Sequence, residues 1–135
     1  MTQTRRFVPQ NTEAEAFQLF SELLMPSVRD VRGESVFFDL GGFTHLQRRP
    51  DRLVYIRWIR ETLQNPAEIR QDRERDHREI YVAAILETEA DESGTPFVVV
   101  IDRRIQLTFW TAFSPTATYL SRIRNGKLLW QPQRD

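Results

Sequence analysis

The chain has 135 residues with 19 basic and 19 acidic side chains, two histidines, no cysteine, 40% hydrophobic and 28% charged residues. Such a chain makes one soluble globular domain with a real core, and without cysteine it has no disulfides, no thiolate catalysis and no zinc–thiolate site. No run approaches the roughly 18 apolar residues of a membrane span, and the opening MTQTRRFVPQ lacks the apolar core of a signal peptide. The expectation is therefore a cytoplasmic protein with no membrane contact.

In chain order, Thr12 to Glu15 has the spacing of a capping box, and Phe17, Phe20 and Leu24 repeat at helical intervals before Pro26. This predicts a helix over residues 12–25. Val28 to Val31 and Ser35 to Leu40 flank Arg32-Gly33-Glu34 and read as a small hairpin, after which Gly41-Gly42 releases the chain. Pro50-Asp51 reads as a helix start, and Tyr55, Ile56, Ile59 and Leu63 share one face, with Arg57, Arg60, Glu61 and Gln64 on the other. Asn65-Pro66 ends that helix.

Residues 70–77, RQDRERDH, show no hydrophobic period and read as a charged connection. Arg78 to Leu86 is expected to pair, through an acidic loop, with Phe97 to Ile101. Asp102-Arg103 then turns tightly into Arg104 to Trp110. FVVVI is apolar throughout, so it should be a central strand covered on both sides. In the last strand Ile105, Leu107 and Phe109 alternate toward the core. Ser114-Pro115 opens a helix that Gly126 closes, and Lys127 to Trp130 forms a final short strand. The expected fold is α+β, with helices packed on one face of a small antiparallel β-sheet.

Charge is segregated although the net is zero. Residues 43–60 contain Arg48, Arg49, Arg52, Arg57 and Arg60 against Asp51, whereas Glu87, Glu89, Asp91 and Glu92 cluster in a loop. Exposed helical arginines are ordinarily a solvated face. A basic field around His45 is also the setting of a phosphate site. Eighteen of the nineteen basic residues are arginine, a bias that suits phosphate and base contact and that a GC-rich genome would equally produce.

Candidates for chemistry are His45, Arg48, Arg49, His77, Arg78, Tyr81, Thr111, Ser114 and Tyr119. Metal-free RNA cleavage needs a base for the 2′-hydroxyl, cations for the phosphorane-like charge and an acid for the leaving 5′-oxygen. A histidine, arginines and a hydroxyl could serve. Each has a plainer reading as well: His45 as a loop histidine bonded to its neighbours, Tyr81 as a partly buried sheet aromatic, Thr111 as a strand-end or turn residue. Spacing does not decide between them. Tyr81 alternates away from Ile80 and Val82 and should face the less buried side, while Thr111 shares the parity of Phe109 and reaches an open site only if the strand ends or bulges near Trp110.

The order of residues resembles the phage-associated nuclease-like domains of the Barnase, EndoU, colicin and RelE superfamily. The resemblance lies in His45, Arg48-Arg49-Pro50-Asp51, Glu61-Thr62-Leu63-Gln64-Asn65-Pro66, Ile80-Tyr81, Phe97 to Ile101, Thr111-Ala112-Phe113 and Gly126-Lys127-Leu128-Leu129-Trp130. It covers residues 43–130, which would be the nuclease-like core of a single domain 1–135, behind an N-terminal helix and hairpin over 12–42. The resemblance implies a helix-plus-antiparallel-sheet domain and a metal-independent ribonuclease needing no cofactor, whose product carries a 2′,3′-cyclic phosphate. It makes His45 the acid/base residue and Arg48 a phosphate clamp. Tyr81 and Thr111 would act on the scissile phosphate from the sheet, and Arg49, Arg78 and Ser114 would bind substrate.

One departure stands out. Arg49 occupies the place where the family commonly shows a second histidine, and arginine is a poor base at neutral pH. The chain would then be a slow nuclease, one in which Tyr81 or Arg49 substitutes, or a non-catalytic adaptor binding RNA through its basic surface and through Trp58 and Trp110. The implied partners are RNA and a protein partner or antitoxin. A protein-binding subunit with no nucleic-acid role also fits the zero net charge.

Overall fold

The computed structural model describes residues 13–49, 56–85 and 94–133. The Thr12 cap, the Pro50-Asp51 helix start and the acidic loop lie outside the described residues. Helix α1 (Glu13–Leu23) forms on the predicted period. Ala16, Phe20 and Leu24 are fully buried, whereas Phe17 is only partly covered. Phe20 meets Phe38, Phe43 and Phe109 edge-on, at centroid distances of 5.7, 5.1 and 6.2 Å. Strands β1 (Ser27–Arg29) and β2 (Ser35–Phe37) make the expected hairpin. Its turn uses Gly33 at φ 85°, and the Asp30 carboxylate accepts the backbone N–H of Arg32 and of Glu34.

The segment read as a release point is instead a helix, α2 (Leu40–Gln47). Two glycines in its first turn disfavour it. Asp39 offsets them by accepting the Gly42 N–H at 2.8 Å as N-cap, and Phe43 and Leu46, three residues apart, bury themselves in the core. His45 therefore sits on a helix and not in a loop. Helix α3 (Ile56–Gln64) buries Ile56, Ile59 and Leu63 as expected. It also buries Trp58, edge-on to Phe97 at 5.4 Å, and Glu61, which accepts from Asn65 Nδ2 at 3.0 Å. Trp58 is thus core, not an exposed aromatic, and Arg57 and Arg60 remain on the solvated face, with Gln64 partly exposed.

The seven strands among the described residues run in the order β1-β2-β6-β5-β4-β3-β7 and curl into a half-barrel. They include β3 (Glu68–Gln71), β4 (Arg78–Ile85), β5 (Thr95–Asp102), β6 (Thr108–Phe113) and β7 (Leu128–Trp130). The sheet is mixed, not purely antiparallel, because β2 docks parallel on β6 through Phe37 and Thr108. Strand β3, with the single buried residue Ile69, gave no alternating signal. Strand β5 lies at the centre, as its unbroken apolar run predicts.

Because β4 and β5 are apolar on both faces, both faces need cover. Helices α1, α2 and α3 pack with the main core, which takes in Ala83, Ile85, Phe97, Val99 and Ile101. Helix α4 (Ala117–Arg124) covers Ile80, Val82, Val98 and Val100 on the opposite face with Ile123. The expectation of helices on one face is corrected accordingly. The cap of α4 is Thr116, whose Oγ1 accepts the Tyr119 N–H at 3.1 Å, and not Ser114. The helix ends at the Asn125 cap, and the next residue is glycine because a Cβ at Gly126 would stand 2.1 Å from the Gln71 carbonyl oxygen.

Strand β6 begins four residues later than expected. Asp102 accepts the backbone N–H of Arg104, opening a loop in place of the tight turn, and Ile105 is 98% exposed instead of core-facing. Pairing then shifts: Phe109 opposes Ile101 and Thr111 opposes Val100, with Trp110 as the extra residue of a bulge. The bulge reverses the parity of everything after it. Phe109 faces the main core and Thr111 the opposite face, with Val100.

Candidate active site

On the α4 face of the sheet lies a cleft of about 630 Å³. Its floor is Arg78 and Ile80 of β4, Val100 of β5, and Trp110, Thr111 and Phe113 of β6. One wall is Tyr119, Arg122 and Ile123 of α4, and the other is the β3–β4 connection from Gln71 to Arg75. Four arginines, at 73, 75, 78 and 122, outnumber Asp72 and Glu74 around it. Asp72 is partly engaged, its Oδ1 accepting the N–H of Glu74 at 2.8 Å and of Arg75 at 3.3 Å. A cleft of this balance favours an anion.

Trp110 is the hinge between the cleft and α2. The Arg78 guanidinium carbon lies 4.5 Å from its ring centroid, and the His45 imidazole lies 4.7 Å from it at an interplanar angle of 37°. A cation and an imidazole are therefore held on one indole that remains 36% exposed. The bulge at Trp110 brings Thr111 to the cleft side as well, where unbroken alternation would have turned it into the core. Arg78 Nε is buried and hydrogen-bonds to none of the described residues. A charged donor left unpaired inside a protein is costly unless something else takes the bond.

Tyr119 stands on the α4 wall, its ring edge-on to Phe113 at 5.3 Å. Burial, and next the charge of Asp72, hold its phenol above the ordinary tyrosine range, with Arg78 and Arg122 pulling the other way. It is protonated at neutral pH and can donate.

Of the residues expected from the sequence, Arg78 and Thr111 line the cleft, and His45, which does not, meets the ring of Trp110. Arg48 and Arg49 sit exposed at the C-terminal end of α2, one turn beyond His45. Ser114 lies past the end of β6 and donates to the Pro96 carbonyl at 2.7 Å, away from the cleft lining. Tyr81 is on the wrong face. It is fully buried in the main core, and its hydroxyl donates to Asp30 at 2.5 Å and accepts from Arg32 at 2.9 Å. Arg32 bridges onward to Glu79 at 2.8 Å, and Arg103 Nε lies 2.9 Å from the same carboxylate. Burial, then the bond to Asp30, raise the Tyr81 phenol far above its usual range. This cluster ties the β1–β2 turn and the β5–β6 loop to β4, with Tyr81 sealed inside it. His77, half-buried beside Asp102 at 3.6 Å, does not line the cleft either.

Sequence reasoning passed over the cleft's outer wall. The run RQDRERDH read as a charged connection only, yet Arg73 and Arg75 line the cleft. Its position between two strands, with arginines alternating among acids, was the available signal. Among the described residues no three His, Cys, Asp or Glu side chains group as metal ligands would, and no helix is long and apolar enough to cross a membrane.

The family model of phage-Barnase-EndoU-ColicinE5/D-RelE like nuclease2 matches residues 13–131. No curated protein and no solved structure matches the chain. The match takes in α1 and the hairpin, which the sequence reading had set apart from the core.

Proposed function

The chain belongs to the phage-Barnase-EndoU-ColicinE5/D-RelE like nuclease2 family, and on that premise we propose that the α4-face cleft cleaves RNA without a metal, by attack of a 2′-hydroxyl on its own phosphodiester. His45 takes the 2′-hydroxyl proton. Arg78 clamps the phosphate with its guanidinium, and Thr111 orients it from the floor. The 2′-oxygen forms its bond to phosphorus as the 5′-oxygen leaves, so the product ends in a 2′,3′-cyclic phosphate. The arginines on both walls offset the charge gathering on the equatorial oxygens.

The observation that supports this reading most is the shared seat of His45 and Arg78 on Trp110. It ties a group able to move a proton, and a planar cation of the basic cleft, to one ring. The test is decay of an end-labelled RNA in chelator by wild type, His45→Ala and Arg78→Ala, with the product ends identified. Loss of one half of a proton-transfer pair should slow cleavage by about 10²- to 10³-fold. Equal decay in all three samples would place the activity elsewhere. Salt-sensitive binding without cleavage would make the protein the non-catalytic adaptor, its arginines acting on phosphates alone.

A further inference from the structure

Resting on that reading, we propose that Tyr119 is the acid that protonates the leaving 5′-oxygen, the task left open by Arg49 where a second histidine would stand. The hydroxyls that line the cleft are those of Thr111 and Tyr119. An aliphatic alcohol is far too weak an acid for the task, and a phenol is the stronger by many orders of magnitude. Tyr81 is sealed in the opposite core and Ser114 is bonded to Pro96. Arginines stay charged and make poor proton donors.

An in-line displacement needs base and acid on opposite sides of phosphorus, and these two side chains come from different helices. His45 comes to Trp110 from α2, and Tyr119 comes from α4 across the floor that holds Arg78. Phe113 fixes the Tyr119 ring edge-on, and Thr116 caps the turn that carries it. Arg122, three residues on, presents its charge along the same helix face. The proton balance closes within the chain: His45 gains the 2′-hydroxyl proton, Tyr119 gives one to the 5′-oxygen, and the phenolate is offset by Arg78 and Arg122 against Asp72 and Glu74. Transfer of the proton from the imidazolium to the phenolate through water restores both groups.

The experiment compares wild type and Tyr119→Phe on two RNAs, one with the ordinary 5′-oxygen at the cleaved linkage and one with sulfur bridging there. A thiolate leaves without a proton. The variant is expected to slow the oxygen substrate by about 10²-fold or more and to leave the sulfur substrate at the wild-type rate. It should also remove the alkaline fall of the wild-type pH–rate profile. Equal loss on both substrates would make Tyr119 a binding or packing residue, and no loss on either would remove it from the reaction; both outcomes overturn the proposal while leaving RNA cleavage by the site intact. Wild type that cuts neither substrate overturns the ribonuclease reading itself, and this inference with it.

Discussion

Arg78 and Trp110, on neighbouring positions of β4 and β6 across the central strand, are stacked cation on indole at 4.5 Å, and the same indole carries His45 at 4.7 Å. Trp110 alternates away from core-facing Phe109, and the bulge there brings Thr111 to the same side.

Removing the indole should therefore disarm two residues without unfolding the protein. Trp110→Ala deletes a partly exposed ring, so the melting temperature is expected to stay close to wild type. The cleavage rate should fall about 10- to 100-fold as Arg78 and His45 lose their common seat. Calorimetry beside single-turnover cleavage checks both halves, and an unchanged rate would separate the stack from function.

Arg78→Lys keeps the charge but loses the planar fork and most of the stacking. It is expected to behave like Arg78→Ala and not like wild type, whereas Arg48→Lys on the exposed end of α2 should be nearly silent. Rates and the salt dependence of RNA binding for wild type and the three variants test this directly. A strong effect confined to Arg48 would return the phosphate clamp to α2.

Tyr81 is predicted to matter for stability alone. Tyr81→Phe leaves the buried Asp30 carboxylate short of a donor, at a cost of about 1–3 kcal/mol in denaturant unfolding, with cleavage unchanged. The folded-state phenol titrates above its unfolded value, so its contribution is complete below about pH 10 and is lost as pH rises beyond it. Wild type should lose stability in that alkaline range, and the variant should lose less.

Gly126→Ala probes a contact and not a backbone conformation, since the glycines at positive φ are Gly33 and Gly94. The added methyl meets the Gln71 carbonyl, which belongs to backbone and cannot step aside cheaply. A loss of about 1–3 kcal/mol is expected. Because Gln71 borders the cleft, slower cleavage should accompany it, and thermal unfolding with activity on the same sample will show whether the two move together.

Much of this arrangement was legible before the structure. The α1 period, the hairpin around Gly33, the apolar face of α3 and the doubly covered β5 all follow from side-chain spacing. His45 and Thr111 stood out by their chemistry. The misreadings have local physical causes. Helix α2 hides behind two glycines that one cap residue and two buried side chains outweigh. Strand β3 is held by its neighbours β4 and β7, with Ile69 its only buried side chain. Tyr81 was assigned by alternation in a strand whose two faces are both buried, where alternation says nothing about which face is open. Trp110 and Tyr119 come from different segments, and no spacing along the chain reveals that they border one cleft.

The most direct test of the shared site is a double-mutant cycle on cleavage of labelled RNA in chelator, with His45→Ala, Arg78→Ala and the pair together. Groups acting as one unit are strongly non-additive, so the double variant should cleave no more slowly than the slower single one. Losses that multiply would show that the imidazole and the guanidinium act independently, and the account of a single centre built on Trp110 would be wrong.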